Sequence, residues 1–159
     1  ANAVLSGVAQ GLQPLWGQCY GRKDGEEMAW YFRSGLAINV VLSALIYGLL
    51  FFLDEAVIHI FNKEAELVRT ASAVLPVFAL SFIPMALNLI YTAYFFSTKR
   101  TGTANAIAVS RGIAVKALTI FCIPMLFSTN AVWIAPFATE AITLIAAVIL
   151  GKTSRLVYR

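Results

Sequence analysis

The chain has 159 residues, 60% of them hydrophobic and 13% charged, with a mean hydropathy of +0.78 and a net charge of +4. The charged share is about half that of an ordinary soluble domain, and a water-soluble fold of this length could not hide so much apolar surface. These figures exclude a soluble enzyme, a disordered tail and a disulfide scaffold, and leave an integral membrane protein or a piece of one.

Five apolar segments follow in chain order, about 1–20, 30–53, 70–97, 104–127 and 131–151. Each is near or above the ~20 residues that carry an α-helix across a ~30 Å hydrocarbon core. None alternates with period two, as a barrel strand of about 10 residues would. The expected fold is an all-α integral membrane protein of five transmembrane helices, one unit over residues 1–159. The chain opens on ANAVLSGVAQ, with neither a basic n-region nor a Met. That opening reads as a fragment cut inside or just before a helix rather than as a signal peptide. No internal repeat is visible.

The first segment is punctuated by Gly7, Gly11, Pro14, Gly17 and Gly21, and carries Gln10, Gln13 and Gln18. Small residues let helices approach closely in lipid. Pro14 releases the carbonyl of Gln10 and is a kink candidate. Amides inside hydrocarbon need partners or a water-filled cavity. Two readings fit: a tightly packed helix with interhelical hydrogen bonds, or a polar cavity wall to which Gln10 and Gln13 contribute.

The loops set the orientation. Arg22 and Lys23 lie in the first loop, GRKDGEE, with Arg33 just inside the second segment. The second loop is acidic through Asp54, Glu55, Glu64 and Glu66, against Lys63 and Arg69; its His59 reads as a bland interfacial residue. The third, STKRTG, carries Lys99 and Arg100, the fourth, FSTN, is uncharged, and the tail has Lys152, Arg155 and Arg159. By the positive-inside rule the first and third loops and the tail are cytoplasmic. Trp16, Trp30, Tyr31, Tyr94 and Phe96 then fall at the inner interface and Trp133 at the outer one. The pI near 9.3 thus reflects topology, not nucleic-acid binding. Cys19 and Cys122 fall about 25 Å apart in depth on a 1.5 Å rise, beyond disulfide reach.

The third segment holds Pro76 and Pro84, both kink candidates, then Asn88 and Tyr91, three apart and so on one face. Packing alone explains the prolines as well as a moving helix does. The fourth and fifth segments each place a charge near mid-span, Lys116 and Glu140, at matching depth on consecutive antiparallel helices. A lone charge at midplane costs roughly 2.5–3.5 kcal/mol on insertion scales, so such residues pair or face water. Either Lys116 and Glu140 form a structural ion pair, or Glu140 binds a coupling cation or proton or meets a cationic substrate. Arg111 is expected to snorkel to the inner interface. No nucleophile–base arrangement, phosphate loop or metal-ligand spacing appears, so neither catalysis nor a bound cofactor or metal is expected.

Four stretches, in order, resemble one family. GLQPLWGQCYGRKD is similar to the Gly-x-Gln-Pro segment of the multidrug and toxic compound extrusion (MATE) transporters. IHIFNKEAELVRTASAVLP resembles their acidic outer loop and the helix after it. YFFSTKRTGTANAIAVSRG, ending at Ser110 and Arg111, resembles an inner loop and helix, and VWIAPFATEAITLI the last helix. The resemblance implies a C-terminal six-helix lobe lacking its first helix, helices eight to twelve of twelve. It implies a secondary antiporter that exports drugs or amphiphilic organic cations in exchange for sodium ions or protons by alternating access. Its partners would be the bilayer, the missing N-terminal lobe and small amphiphilic or cationic substrates, in the prokaryotic cytoplasmic membrane. The family's C-lobe coupling acids sit on helices seven and ten; the first is absent here, and no Asp or Glu lies between Arg69 and Lys99. A cation site cannot be carried over, and Glu140 stands as a candidate on its own. The alternatives are a lipid-linked saccharide flippase of the same superfamily, whose cavity would be lined with several positive charges, and a non-transporting membrane scaffold.

Overall fold

A computed structural model describes residues 1–61, 63–127 and 129–154; Arg155 and Arg159 of the basic tail and Ser128 of the fourth loop lie outside these. All regular structure among the described residues is helical: α1 (Asn2–Arg22), α2 (Gly25–Phe52), α3 (Asp54–Phe61), α4 (Ala65–Ala79), α5 (Phe82–Ser97), α6 (Thr101–Val109), a π-helical turn (Ser110–Ala114), α7 (Val115–Leu126), a 3₁₀ turn (Thr129–Ile134) and α8 (Ala135–Ser154).

The first loop is tighter than expected, because Asp24 starts a helix there. Its side chain accepts the Glu27 backbone N–H at 3.0 Å, the N-cap interaction that satisfies an orphan donor of the first turn. The chain enters that turn through Lys23, held at a left-handed φ of 57°. The second loop is not all loop: α3 forms within it, with Asp54 and Glu55 at its N-terminus and His59 in its last turn, each on the side the helix dipole favours. Its Ile60 and Phe61 are exposed.

The third segment is two helices, α4 and α5, bent by 41°. The break at Leu80–Ser81 has a covalent cause. Pro84 has no N–H to give the Leu80 carbonyl, and its ring clashes with that carbonyl in a continuous helix. Of the three kink candidates only Pro84 stands at a break; Pro14 and Pro76 lie inside unbroken helices. The fourth segment is widened at the π turn, where Val115 N–H bonds back to the Ser110 carbonyl.

α5 is the hub. It packs against α1, α2, α6 and α8, while α7 packs against α8. Trp16, Cys19, Met28, Ile90 and Ala93 form one buried cluster, and Phe95, Ala104, Ile107 and Ala147 another. Gly35 permits the close approach of α2: a Cβ there would sit 2.5 Å from Leu12 Cδ1 and 3.4 Å from Ile90 Cδ1. Asn39 ties three helices together, its buried amide donating to the carbonyls of Ala86 at 3.0 Å and Leu5 at 3.3 Å. We expect Asn39→Ala to destabilise the bundle by about 1–2 kcal/mol. Interhelical hydrogen bonds in membranes average about 0.6 kcal/mol each, and both carbonyls are on helices that also bond them internally. Thermal unfolding in detergent micelles, followed by circular dichroism, measures this; an unchanged midpoint would mean the tie carries no load.

Large apolar side chains stand on the surface, and several polar ones are buried among the apolar core. Ile113 and Phe121 are 69% and 77% exposed, whereas Asn39, Ser43, Asn88, Thr119, Thr139 and Thr143 are buried. α2, Thr101–Leu126 and Ala131–Lys152 are long and apolar enough to cross a membrane, and the bent pair α4–α5 makes a fourth. The expected five crossings are therefore not all carried by length and hydropathy. α1 is not among these spans because its Gly, Gln and Pro dilute its apolar character.

Candidate functional site

Two helices and a widened turn converge on one polar centre. Asn88 sits one turn beyond Pro84, on the straight part of α5, and is fully buried. Its Nδ2 donates to Glu140 Oε2 at 2.8 Å and to the Glu140 carbonyl at 2.9 Å. Arg111, in the π turn, brings Nη1 to 3.7 Å from the same Oε2. The Arg111 and Glu140 side chains are 25% and 14% exposed. At that distance the contact is an ion pair without a hydrogen bond, and Nη1 finds no hydrogen-bond partner. Asn88 Oδ1 is also buried without one. The centre thus holds a carboxylate, a loosely apposed cation and a spare amide oxygen, all near mid-span. Beside it, the Thr119 and Thr139 hydroxyls share a 2.6 Å hydrogen bond, and Thr143 donates to the Thr139 carbonyl. A polar seam therefore runs between α7 and α8.

The Lys116–Glu140 pair, one of the two readings of these mid-span charges, does not form among the described residues. Lys116 is exposed and joins no carboxylate among the described residues. Arg111 takes its place, and so does not simply snorkel away. The cause is the π turn, which inserts one residue into the helix and rotates everything after it by about 100°. Tyr91 does not join the centre either: its ring packs edge-on against Phe32 at 5.1 Å and lies close to Gly151. Gln10 is exposed and Gln13 half-buried. Gly7, Gly11, Pro14, Gly17, Gln18 and Gly21 share the exposed side of α1, and none of these glycines has a neighbour where a Cβ would stand. This polar, small-residue face is left open by the rest of the bundle. His59 is exposed on α3, and Cys19 and Cys122 are free thiols, as their spacing implied.

Sequence reasoning missed Asn39 and the roles of Arg111 and the three threonines. Asn39 gave the same signal as Asn88, an amide inside an apolar run. The partner of Glu140 gave none, because depth was readable and azimuth was not.

Two concavities lie away from the centre. At the end taken as cytoplasmic, a cavity of about 340 Å³ opens between the starts and ends of α2, α5 and α8. At the other end a largely apolar groove of about 630 Å³ is lined by Leu67, Val74, Phe78 and Trp133, with Glu64 and Glu66 among its residues.

A helical bundle with spans this apolar, many large apolar side chains exposed, and buried amides and hydroxyls bonded within the bundle is a multi-pass membrane protein. The family model described as MatE matches residues 2–122, and the chain belongs to this family of membrane transporters, whose members are not enzymes. The match runs from α1 into α7; the end of α7, and α8 with its Glu140, follow it. Neither a curated protein nor a solved structure matches the chain.

Proposed function

We propose that this chain is helices eight to twelve of a two-lobed antiporter that exports amphiphilic organic cations against sodium ions or protons. Its coupling acid, in this reading, is Glu140. The observation that carries the proposal is the Asn88–Glu140–Arg111 centre at mid-span in an otherwise apolar shell. A buried carboxylate needs a countercharge. Arg111 supplies one, loosely enough to be displaced. When a coupling cation or proton arrives, Glu140 exchanges Arg111 for it; when the ion leaves, Arg111 returns, and the carboxylate is never bare in low dielectric. Two oxygens suffice for a proton, whereas a sodium ion would recruit further oxygens from backbone or water.

The rest of the molecule supports the same reading. The open Gly and Gln face of α1 suits a cavity wall shared with the N-terminal lobe, which would also cover Lys116. The outer groove, apolar with two carboxylates, suits an amphiphilic cation. The flippase alternative would line its cavity with several unpaired positive charges; at depth, among the described residues, Arg111 is paired and Lys116 alone is not. A scaffold would have no use for an acid held by an amide and an incompletely bonded arginine.

Ethidium efflux from vesicles carrying the full-length parent tests the proposal. Efflux should collapse when the sodium or the proton gradient is dissipated. Efflux indifferent to both gradients would end the antiporter reading. Topology has its own test: Lys99→Cys should react with a membrane-impermeant thiol reagent only from the inside and Glu64→Cys only from the outside. Labelling of both from one side would overturn the orientation.

A further inference from the structure

We propose that α3 is a membrane-interface anchor, whose edge of Ala56, Ile60 and Phe61 inserts among the headgroups and upper acyl chains of the leaflet at the acidic end of the bundle. Its depth follows from α2. The run 34–53, between Arg33 and Asp54, is uncharged. At 1.5 Å per residue it covers about 30 Å, the thickness of the hydrocarbon core. α3 begins at Asp54, directly after that run, so it starts where the hydrocarbon ends. A second marker agrees: Ile58 of α3 lines the same groove as Trp133, and Trp collects at headgroup depth.

The faces of α3 are sorted for that place. The helix packs against α4, with Ile58 lining the groove between them. Two flanks stay exposed. Glu55 and His59, four apart, share one; Ala56 and Ile60, also four apart, share the next, about 100° round the helix. Ile60 and Phe61 are 78% and 85% exposed. They extend a surface that already meets acyl chains. Leu45, Leu49 and Phe52, spaced four and three apart, form an exposed stripe on the α2 span, and Leu53, which joins the two helices, is exposed as well. In the headgroup layer the apolar flank is buried while Glu55 and His59 stay hydrated, the arrangement of an interfacial amphipathic helix. The attachment is apolar rather than electrostatic. α3 holds no Lys or Arg, and the next cation, Lys63, is followed by Glu64 and Glu66. The basic residues that draw many such helices to anionic lipids are absent from it, so a zwitterionic leaflet suits it equally. Because Ile58 belongs to the same helix, the anchor also fixes one wall of the groove at headgroup depth. The inference stands whether or not Glu140 couples transport.

Fluorescence quenching in the full-length parent tests it. A small fluorophore is attached at Glu55→Cys, Ala56→Cys, His59→Cys or Ile60→Cys, each in a background without other cysteines, in phosphatidylcholine vesicles. Iodide should quench the dye about tenfold less at positions 56 and 60 than at 55 and 59, because a charged quencher is excluded from apolar surroundings. Lipids with a nitroxide high on the acyl chain should show the reverse order. Adding phosphatidylglycerol should leave the contrast unchanged; a contrast seen only with the anionic lipid would overturn the apolar attachment. Equal iodide access at all four positions would put α3 in water and overturn the anchor. Shielding of positions 56 and 60 from both quenchers would place protein over this flank, either the N-terminal lobe or a second copy, and would overturn it too.

Discussion

Glu140→Gln in the full-length parent should lower gradient-driven efflux by about 100-fold, with the protein still present in the membrane at normal levels. A unit charge 4 Å from a coupling ion is worth about 4 kcal/mol at an effective dielectric constant of 20, nearly three decades in ion affinity. Some of that is recovered by water, so two decades is the expected loss. The substitution keeps the shape of the side chain, and its amide can still accept from Asn88 Nδ2. It leaves Arg111 without a countercharge, but Arg111 is a quarter exposed and can turn toward water. The fold should therefore survive while coupling fails. Substrate binding, read by ethidium fluorescence without a gradient, should change little, because the groove that suits the cation lies elsewhere. Near-normal efflux by this variant would remove Glu140 from the transport cycle and leave it a structural acid.

Much of the fold was legible from hydropathy and charge alone. The apolar segments mark where helices run, because in lipid the backbone must bond within itself. Pro84 stands where the third segment breaks, whereas the small residues of the first segment lie in an unbroken helix and do not pack closely. What was not legible depends on rotation about helix axes. Lys116 and Glu140 were matched by depth, and depth holds; but contact also needs a shared face, and the π turn at Ser110–Ala114 resets the faces of the fourth segment. No residue in SRGIA announces that turn. Likewise α3 lies in a segment whose charges mark it as outside the membrane, yet its capping acids and apolar end make it a surface helix. Asn39 was readable and was passed over, because a single amide in LAINVVLS is diluted by its neighbours. The site was thus half legible. Glu140 and Asn88 were each singled out, but Asn88 was grouped with Tyr91 rather than with the acid, and the cation lies five positions from the residue matched to it by depth.

Arg111 and Glu140 should be energetically coupled, and a double-mutant cycle on thermal unfolding in detergent reads the coupling. Arg111→Met alone should cost about 2 kcal/mol. Breaking a buried pair from one side costs about 3–5 kcal/mol when both groups are fully desolvated. Here the 3.7 Å contact and the partial exposure of both side chains reduce it. Combining Arg111→Met with Glu140→Gln should return stability close to that of the unmodified chain, since a neutral amide needs no countercharge and a methionine fills the arginine stem's space. The sum of the single effects should therefore exceed the double by about 2 kcal/mol or more. Independent sites add within about 0.5 kcal/mol, so an additive cycle would show that Arg111 and Glu140 are neighbours without being a pair. Running the same cycle with Lys116→Met in place of Arg111→Met separates the two candidate partners. Additivity is expected there, because Lys116 is exposed and meets no carboxylate among the described residues. Strong coupling to Lys116 would instead place the depth-matched pair in the folded membrane state and displace Arg111 from the mechanism.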